Sequence, residues 1–198
     1  MENNQARLSG KMVNNFVFSH AKGSRKLYRG LIESERLSGA ADIIPVIVSE
    51  SMINTLHDYT GEFVEITGQF RSYNLHENGK SKLLLFLYAH DICTEPTGEI
   101  INSIILTGFL CKKPVYRKTP LGKRITDITL AVNRVRGSDY LPCICWGEDA
   151  QYISYLDVGD KITLQGRMQS REYQKKQKDG TFVTKTAYEV SVLEILDK

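Results

Sequence analysis

Four cysteines, four histidines, five prolines and one tryptophan are all that 198 residues contain, and each scarcity removes a class of explanation. Cys93, Cys111, Cys143 and Cys145 form neither a Cys-x-x-Cys pair nor a Cys/His spacing of the kind that holds zinc. Cys143 and Cys145 alternate with Leu141 and Ile144 in a strand pattern, so they share a face, and the cysteines read as buried free thiols. The histidines are scattered, none in a Ser/His/Asp or His/Glu/His constellation, and no carboxylate pair stands out. No catalytic residue, metal ligand or cofactor is expected, and the chain does not read as an enzyme. Long apolar runs are missing as well: none approaches the ~20 residues of a membrane helix. Met1-Glu2-Asn3-Asn4-Gln5 lacks the basic and apolar regions of a secretory signal, so a cytoplasmic location without membrane contact is expected. Charge excess is small, a formal +3, and the 41% apolar fraction suits an ordinary globular protein.

What is present is a repeat of about 98 residues. Leu8-Ser9-Gly10 returns as Leu106-Thr107-Gly108, and Arg36-Leu37-Ser38-Gly39 as Arg134-Val135-Arg136-Gly137. Ile44-Pro45-Val46-Ile47-Val48 returns as Leu141-Pro142-Cys143-Ile144-Cys145, one residue out of step. Gly61 to Gly68 returns in step as Gly159 to Gly166. Landmarks in one order with a near-constant offset indicate a tandem duplication.

Both halves read as β-rich with one short helix. In the second, strands are expected over Ile104–Cys111, Arg124–Asn133, Tyr140–Trp146, Lys161–Tyr173 and Phe182–Ile195, the last two forming a hairpin around Asp179-Gly180. Ala150, Ile153 and Leu156 fall at helical spacing between Glu148 and Leu156. The first half gives strands over Ala6–Val13, Tyr28–Leu37, Ile43–Val48, Phe63–Tyr73 and Lys82–Ile92, with a helix marked by Met52, Ile53 and Leu56. Three strands, a helix and two strands is the order of the five-stranded OB barrel. The fold expected is all-β with short helices: two tandem OB-fold barrels over residues 1–93 and 99–198, joined by a linker at 94–98.

An OB barrel presents its second and third strands and connecting loops to single strands, whose bases stack on aromatic rings. In the second half Tyr140 and Trp146 bracket the third strand and Tyr173 ends the fourth. Around them lie Arg117, Lys118, Lys123, Arg124, Arg134, Arg136, Arg171, Lys175, Lys176 and Lys178. Interleaved rings and cations are the composition of a sequence-tolerant single-strand groove. Charge supports that half: residues 1–98 carry ten Lys/Arg against eleven Asp/Glu, residues 99–198 sixteen against twelve. Through the repeat, Tyr140, Trp146 and Tyr173 correspond to Ile43, Ser49 and Leu75, so the first half lacks rings there, although Tyr28 and Tyr73 lie nearby.

The stretches Thr119-Pro120-Leu121-Gly122-Lys123, Thr129 to Arg134, Tyr140 to Gly147 and Gly166 to Tyr173 resemble bacterial single-stranded DNA-binding protein across residues 104–196. That resemblance places Tyr140, Trp146 and Tyr173 at base-stacking positions, and Arg117 and Arg171 at backbone-contacting ones. It implies single-stranded DNA binding and protection in replication, recombination or repair, and a homodimer presenting four OB modules. The family's flexible acidic tail has no counterpart after Leu196-Asp197-Lys198, so partner recruitment by that route is not expected. The Val135–Asp139 loop is short where the family often has a long arm, and Arg136 stands where an aromatic is common. The expected division of labour is a second barrel that binds and a first that assembles the oligomer or adds weak contacts. RNA remains an open ligand. The alternative function is an OB-fold accessory factor that docks a protein partner in a replication or mobile-element complex.

Overall fold

The computed structural model describes residues 3–77, 79–177 and 180–198. The first half contributes β1 (Asn4–Lys22), β2 (Arg25–Glu35), β3 (Ala41–Ser49), β4 (Phe63–Glu77) and β5 (Lys80–Cys93). The second contributes β6 (Asn102–Leu110), β7 (Val115–Lys118), β8 (Arg124–Asn133), β9 (Ser138–Trp146), helix α1 (Gly147–Ile153), β10 (Lys161–Lys176) and β11 (Phe182–Ile195). In the first half β1 pairs with β2, β2 with β3, β3 in parallel with β5, β5 with β4 and β4 back with β1. That circuit is closed. The second half closes identically through β6, β8, β9, β11 and β10. Two five-stranded OB barrels therefore stand in tandem.

The duplication reaches individual contacts. Leu8, Ile32, Ile44, Val46, Ile66, Phe70 and Leu87 fill the first barrel. Leu106, Leu130, Leu141, Cys143, Leu164, Met168 and Val190 occupy the matching buried places in the second. Each such side chain contributes about 1.5–3 kcal/mol by leaving water. The strand glycines repeat for a steric reason. A Cβ at Gly10 would lie 2.1 Å from the Glu33 carbonyl oxygen, and one at Gly108 2.5 Å from that of Ala131. Gly68 and Gly166 sit at equivalent bulges, where the fourth strand bends to close each barrel.

The barrels meet around a pseudo-two-fold axis. β1 runs antiparallel to β6, with Ala6 opposite Ile104, its own counterpart in the repeat. Asp42 Oδ1 of the first barrel accepts from the Ser170 backbone N–H of the second at 2.7 Å, and Asp139 Oδ1 of the second accepts from Ser72 of the first at 2.8 Å. The Ile43 N–H donates to Ser170 Oγ (3.0 Å), and the Tyr140 N–H to Ser72 Oγ (2.8 Å). Each aspartate is also held by an arginine of its own barrel. Arg36 grips Asp42 through Nε (2.6 Å) and Nη2 (2.5 Å). Arg134 Nε lies 3.1 Å from Asp139 Oδ2, outside hydrogen-bond alignment.

Four features differ from the sequence expectation. β1 runs nine residues beyond Val13 and forms a projecting hairpin with β2, turned at Gly23 (φ 62°). Register shifts between Met12 and His20 break the period-two pattern that marks a strand in sequence. The helix expected around Met52, Ile53 and Leu56 is a single 3₁₀ turn over Glu50–Met52. Asn54 Oδ1 accepts from the Leu56 N–H and the Asn54 N–H donates to the Tyr59 hydroxyl, a local alternative to helical pairing. β7 pairs with β8 yet is exposed throughout, so it leaves no apolar periodicity to read. Cys143 and Cys145 are buried, but Cys93 is exposed and Cys111 half-buried, because both stand at strand ends. The turn residue Asp179 and the candidate Lys178 lie outside the described residues.

Candidate nucleic-acid interface

Side chains alternate across a strand, and directly paired residues share a face. The inward row of the second barrel is Thr126, Ile128, Leu130 and Val132 on β8, with Leu141, Cys143 and Cys145 on β9, all buried. The outward row on β9 is therefore Tyr140, Pro142, Ile144 and Trp146. Opposite them on β8 stand Ala131, Thr129, Asp127 and Ile125. β7 extends this face, with Val115 opposite Asp127 and Arg117 opposite Ile125. On the other flank Ser191 of β11 pairs with Ile144, and Arg167, Gln169, Arg171, Tyr173 and Lys175 of β10 follow in the same row.

Tyr140, Trp146, Tyr173, Arg117, Arg171 and Lys175 thus share one continuous outer face. The three rings are 45%, 40% and 39% exposed, enough to present a π-face while remaining anchored. Trp146 Nε1 donates to Ser191 Oγ (3.3 Å), which orients the indole toward β11. Six residues of β9 separate Tyr140 from Trp146, about 20 Å at ~3.3 Å per residue. Arg134 and Arg136 flank Tyr140 in the β8–β9 loop, and Lys123 lies in the β7–β8 turn closed by Thr119. Lys118 and Lys176 alternate to the opposite side of their strands, opposite Arg124 and Phe182 respectively. Arg124 is engaged by Gln151 of α1.

The cations fall into two groups. Arg117 is held by Asp127 (Nε–Oδ2 2.8 Å), Arg134 by Asp139 and Arg171 by Glu189 (3.8 Å). The hydrogen bond to Asp127 is the main reason the Arg117 pKa is raised; burial opposes it, and the Asp127 and Glu189 charges add to it. Lys118, Lys123, Arg136, Lys175 and Lys176 have no carboxylate within ion-pair distance among the described residues. Lys185, directly opposite Tyr173, adds a cation that sequence reasoning missed. Counting back from the hairpin turn would have found it.

Among the described residues no group of three or more His, Cys, Asp or Glu is placed to hold a metal ion, and no helix is long and apolar enough to cross a membrane. Cys145 is no reactive centre. Burial first, then the Asp149 and Asp127 carboxylates, push its thiol up to about 12.

Residues 101–196, the stretch that builds this face, match the model of the Single-strand binding protein family. That match covers the second barrel, just under half of the chain. Over this half the chain is 34% identical to Single-stranded DNA-binding protein A of Bacillus subtilis across 98 residues, covering 46% of this chain and 57% of that protein. It is 36% identical across 93 residues to Single-stranded DNA-binding protein 1 of Staphylococcus aureus, covering 43% and 56%. The chain thus spans little more than half the length of the curated relatives it matches. The crystal structure of wild-type single-stranded DNA binding protein from Thermus aquaticus superposes over 97% of this chain and 91% of its own, with a TM-score of 0.74 at 22% identity. That likeness shows that the fold, both barrels included, is one that a single-strand binding protein adopts.

The first barrel carries its own outer row, differently furnished. Arg29 on β2, Ile47 on β3, Tyr88 on β5 and Gln69 on β4 are paired in sequence across the sheet, with Phe86 opposite Arg71 and Leu84 opposite Tyr73 beside them. Tyr73 is on this face and well exposed. Tyr28 is not. It turns to the other side of β2, where its ring meets Phe18 edge-on at 5.9 Å and its hydroxyl reaches Glu50 (3.4 Å).

Proposed function

We propose that the protein binds single-stranded DNA with little sequence preference, using the outer face of the second barrel. The observation that carries this reading is the row of Trp146, Tyr140 and Tyr173, half-exposed on one continuous sheet inside the stretch that matches the family. Each ring offers a stacking surface to any base, worth about 1–3 kcal/mol per base. Lys123, Arg136 and Lys175 meet phosphates directly, while Lys118 and Lys176, on the other side of their strands, add only to the positive field around the face. Arg117, Arg134 and Arg171 do so by exchanging a carboxylate partner for a phosphate. Each neutralised phosphate releases counterions, so log affinity falls by about 0.7 per log unit of salt for each such contact. The protein acts as a binder that shields exposed strands in replication, recombination or repair, and assembles as a homodimer presenting four OB modules.

Trp146 is the only tryptophan, so its fluorescence reports on this face alone. Titration with oligo-dT should quench it stoichiometrically, and salt should weaken the effect. Trp146→Ala should cost about 1–3 kcal/mol of binding in a folded protein. Absence of both quenching and binding sinks the proposal and favours a protein-docking role. Binding without quenching keeps the function and moves the site. Competition by oligo-rU decides whether RNA shares the groove.

A further inference from the structure

We propose that the first barrel holds a second single-strand site, built on Tyr88 with Arg71 and Arg25 and continuous with the first site across the barrel seam. The inference rests on the function proposed above and deepens it, because the sequence comparison assigned the first barrel no stacking ring.

The ring has moved rather than vanished. In the second barrel the third and fifth strands pair in parallel at Ile144 and Ser191, and Trp146, two residues along β9, bonds across to Ser191. In the first barrel the equivalent pair is Ile47 and Tyr88, and the residue two along β3 is Ser49. The aromatic and the serine have exchanged strands across the same parallel pairing. A search at the position equivalent to Trp146 therefore finds Ser49 and misses the ring beside it.

Cations frame that ring. The Arg71 guanidinium carbon sits 5.1 Å from the Tyr88 ring centroid, and Arg25 Nη1 lies 3.5 Å from its hydroxyl. Arg29, exposed on β2, and Tyr73, two residues along β4 from Arg71, lie in the same outward row. A flat ring with guanidinium groups at its face and edge, on an open sheet, presents one stacking surface and several phosphate donors.

The two sites join. Arg71 is packed at the seam beside Ser72, whose N–H and hydroxyl engage Asp139 and the Tyr140 backbone. Burial is the largest influence on the Arg71 guanidinium and lowers its pKa; the charges it feels are Asp139 and Arg134 of the second barrel, then Tyr88. A strand leaving Tyr140 thus meets Arg134, then Arg71 and Tyr88, without crossing a carboxylate that lacks a partner cation.

The test compares dye-labelled oligo-dT of about 12 nucleotides, which one barrel can hold, with one of about 30, long enough for both. The full chain is used throughout. Tyr88→Leu keeps apolar bulk and removes the π-face. It should weaken binding of the long oligonucleotide by about 5- to 150-fold and leave Trp146 quenching by the short one unchanged. Tyr88→Phe should bind as the wild type, and Arg25→Gln, an exposed change that spares the fold, should lower the salt slope for the long oligonucleotide by about 0.7. Wild-type binding with Tyr88→Leu and Arg25→Gln both indistinguishable from it overturns the second site alone. Should Tyr88→Leu unfold, an unaltered Arg25→Gln salt slope overturns it. A wild type that binds neither oligonucleotide removes the parent reading and this one together.

Discussion

Replacing Asp42 by alanine tests whether the two barrels are one cooperative body. Asp42 is fully buried; it accepts two hydrogen bonds from Arg36 and one from the Ser170 N–H of the other barrel. Removing one partner of a buried ion pair costs about 3–5 kcal/mol. The lower end applies here, because Arg36 is 23% exposed and regains water once released. The Ser170 N–H is left without its acceptor, which adds about 1–3 kcal/mol. The expected total is about 4–6 kcal/mol. Asp139→Ala should cost less, about 2–3 kcal/mol, because Arg134 makes no aligned hydrogen bond to it and is itself more exposed. Urea unfolding followed by circular dichroism reads the midpoint, and Trp146 fluorescence reads the second barrel alone. The wild type should give one transition by both probes. The double variant should give two, the fluorescence midpoint separating from the circular dichroism midpoint as the barrels uncouple. Either single variant costing under about 1 kcal/mol, or two transitions already present in the wild type, refutes the reasoning.

Other parts of the structure give equally direct expectations. Gly108→Ala should destabilise the second barrel by about 1–3 kcal/mol or more, since its Cβ meets the rigid Ala131 carbonyl; a loss below about 0.5 kcal/mol in urea unfolding would deny that close approach. Ellman's reagent should label Cys93 quickly and leave Cys143 and Cys145 untouched until the protein unfolds, which mass mapping of the labelled chain checks. The pH dependence follows from the same burial. The folded Cys145 thiol is pushed up to about 12 from an ordinary 9.0, so below pH 9 both states keep the proton and stability is complete. Above pH 9 the unfolded thiol ionises while the folded one does not, and stability falls by up to about 1.4 kcal/mol per pH unit towards 12. Denaturation at pH 8 and 10.5 should show a shallower fall in Cys145→Ala, and an equal fall would locate the effect elsewhere. Asp127→Asn frees Arg117 and removes a negative charge from the stacking face, so affinity for oligo-dT should rise about 2- to 5-fold; an unchanged or weaker affinity would show that Arg117 contributes through Asp127 alone.

Legibility in the sequence tracked burial. β8 and β11 have the expected bounds: one face of β8 is packed against the core along most of its length, and β11, buried only at Val190–Val192 and Ile195, is carried outward by its hairpin with β10. β7 escaped detection because it is exposed throughout and ordered only by pairing with β8, whereas the outer part of β1, although Phe16 is buried against Tyr59, was hidden by the register shifts that break its alternation. The first-half helix failed for a different reason. Met52, Ile53 and Leu56 have helical spacing, but Asn54 captures local backbone donors and Leu56 ends almost wholly exposed. On the candidate site, alternation alone set Tyr140 and Trp146 on one face, and hairpin register added Tyr173 and Lys175. It was blind to carboxylates brought in from other strands. Asp127, Asp139 and Glu189 each engage an arginine that composition alone counted as a free cation.

Comparing the halves position by position separates two kinds of surface. Around the seam four polar pairs are identical: Asn4 and Asn102, Arg36 and Arg134, Asp42 and Asp139, Ser72 and Ser170. On the outer face Pro45 and Pro142, and Ile47 and Ile144, still agree, but the positions that carry rings and cations differ: Ile43 against Tyr140, Ser49 against Trp146, Leu75 against Tyr173, Arg71 against Gln169, Tyr88 against Ser191. The cause is physical. Asp42 and Asp139 are buried and accept from Ser170 and Ser72 of the other barrel, while each arginine and asparagine holds a partner within its own, so changing any of them strands a polar group elsewhere. An outer-face residue answers to solvent and ligand, and either half can change without penalty to the other. Two barrels in one chain therefore need not carry the same groove, as two copies of one barrel must. The exchange of ring and serine between Trp146/Ser191 and Ser49/Tyr88 is the clearest instance: both barrels keep one aromatic at the parallel strand pair, on opposite strands, so the two outer faces differ in where a ring stands.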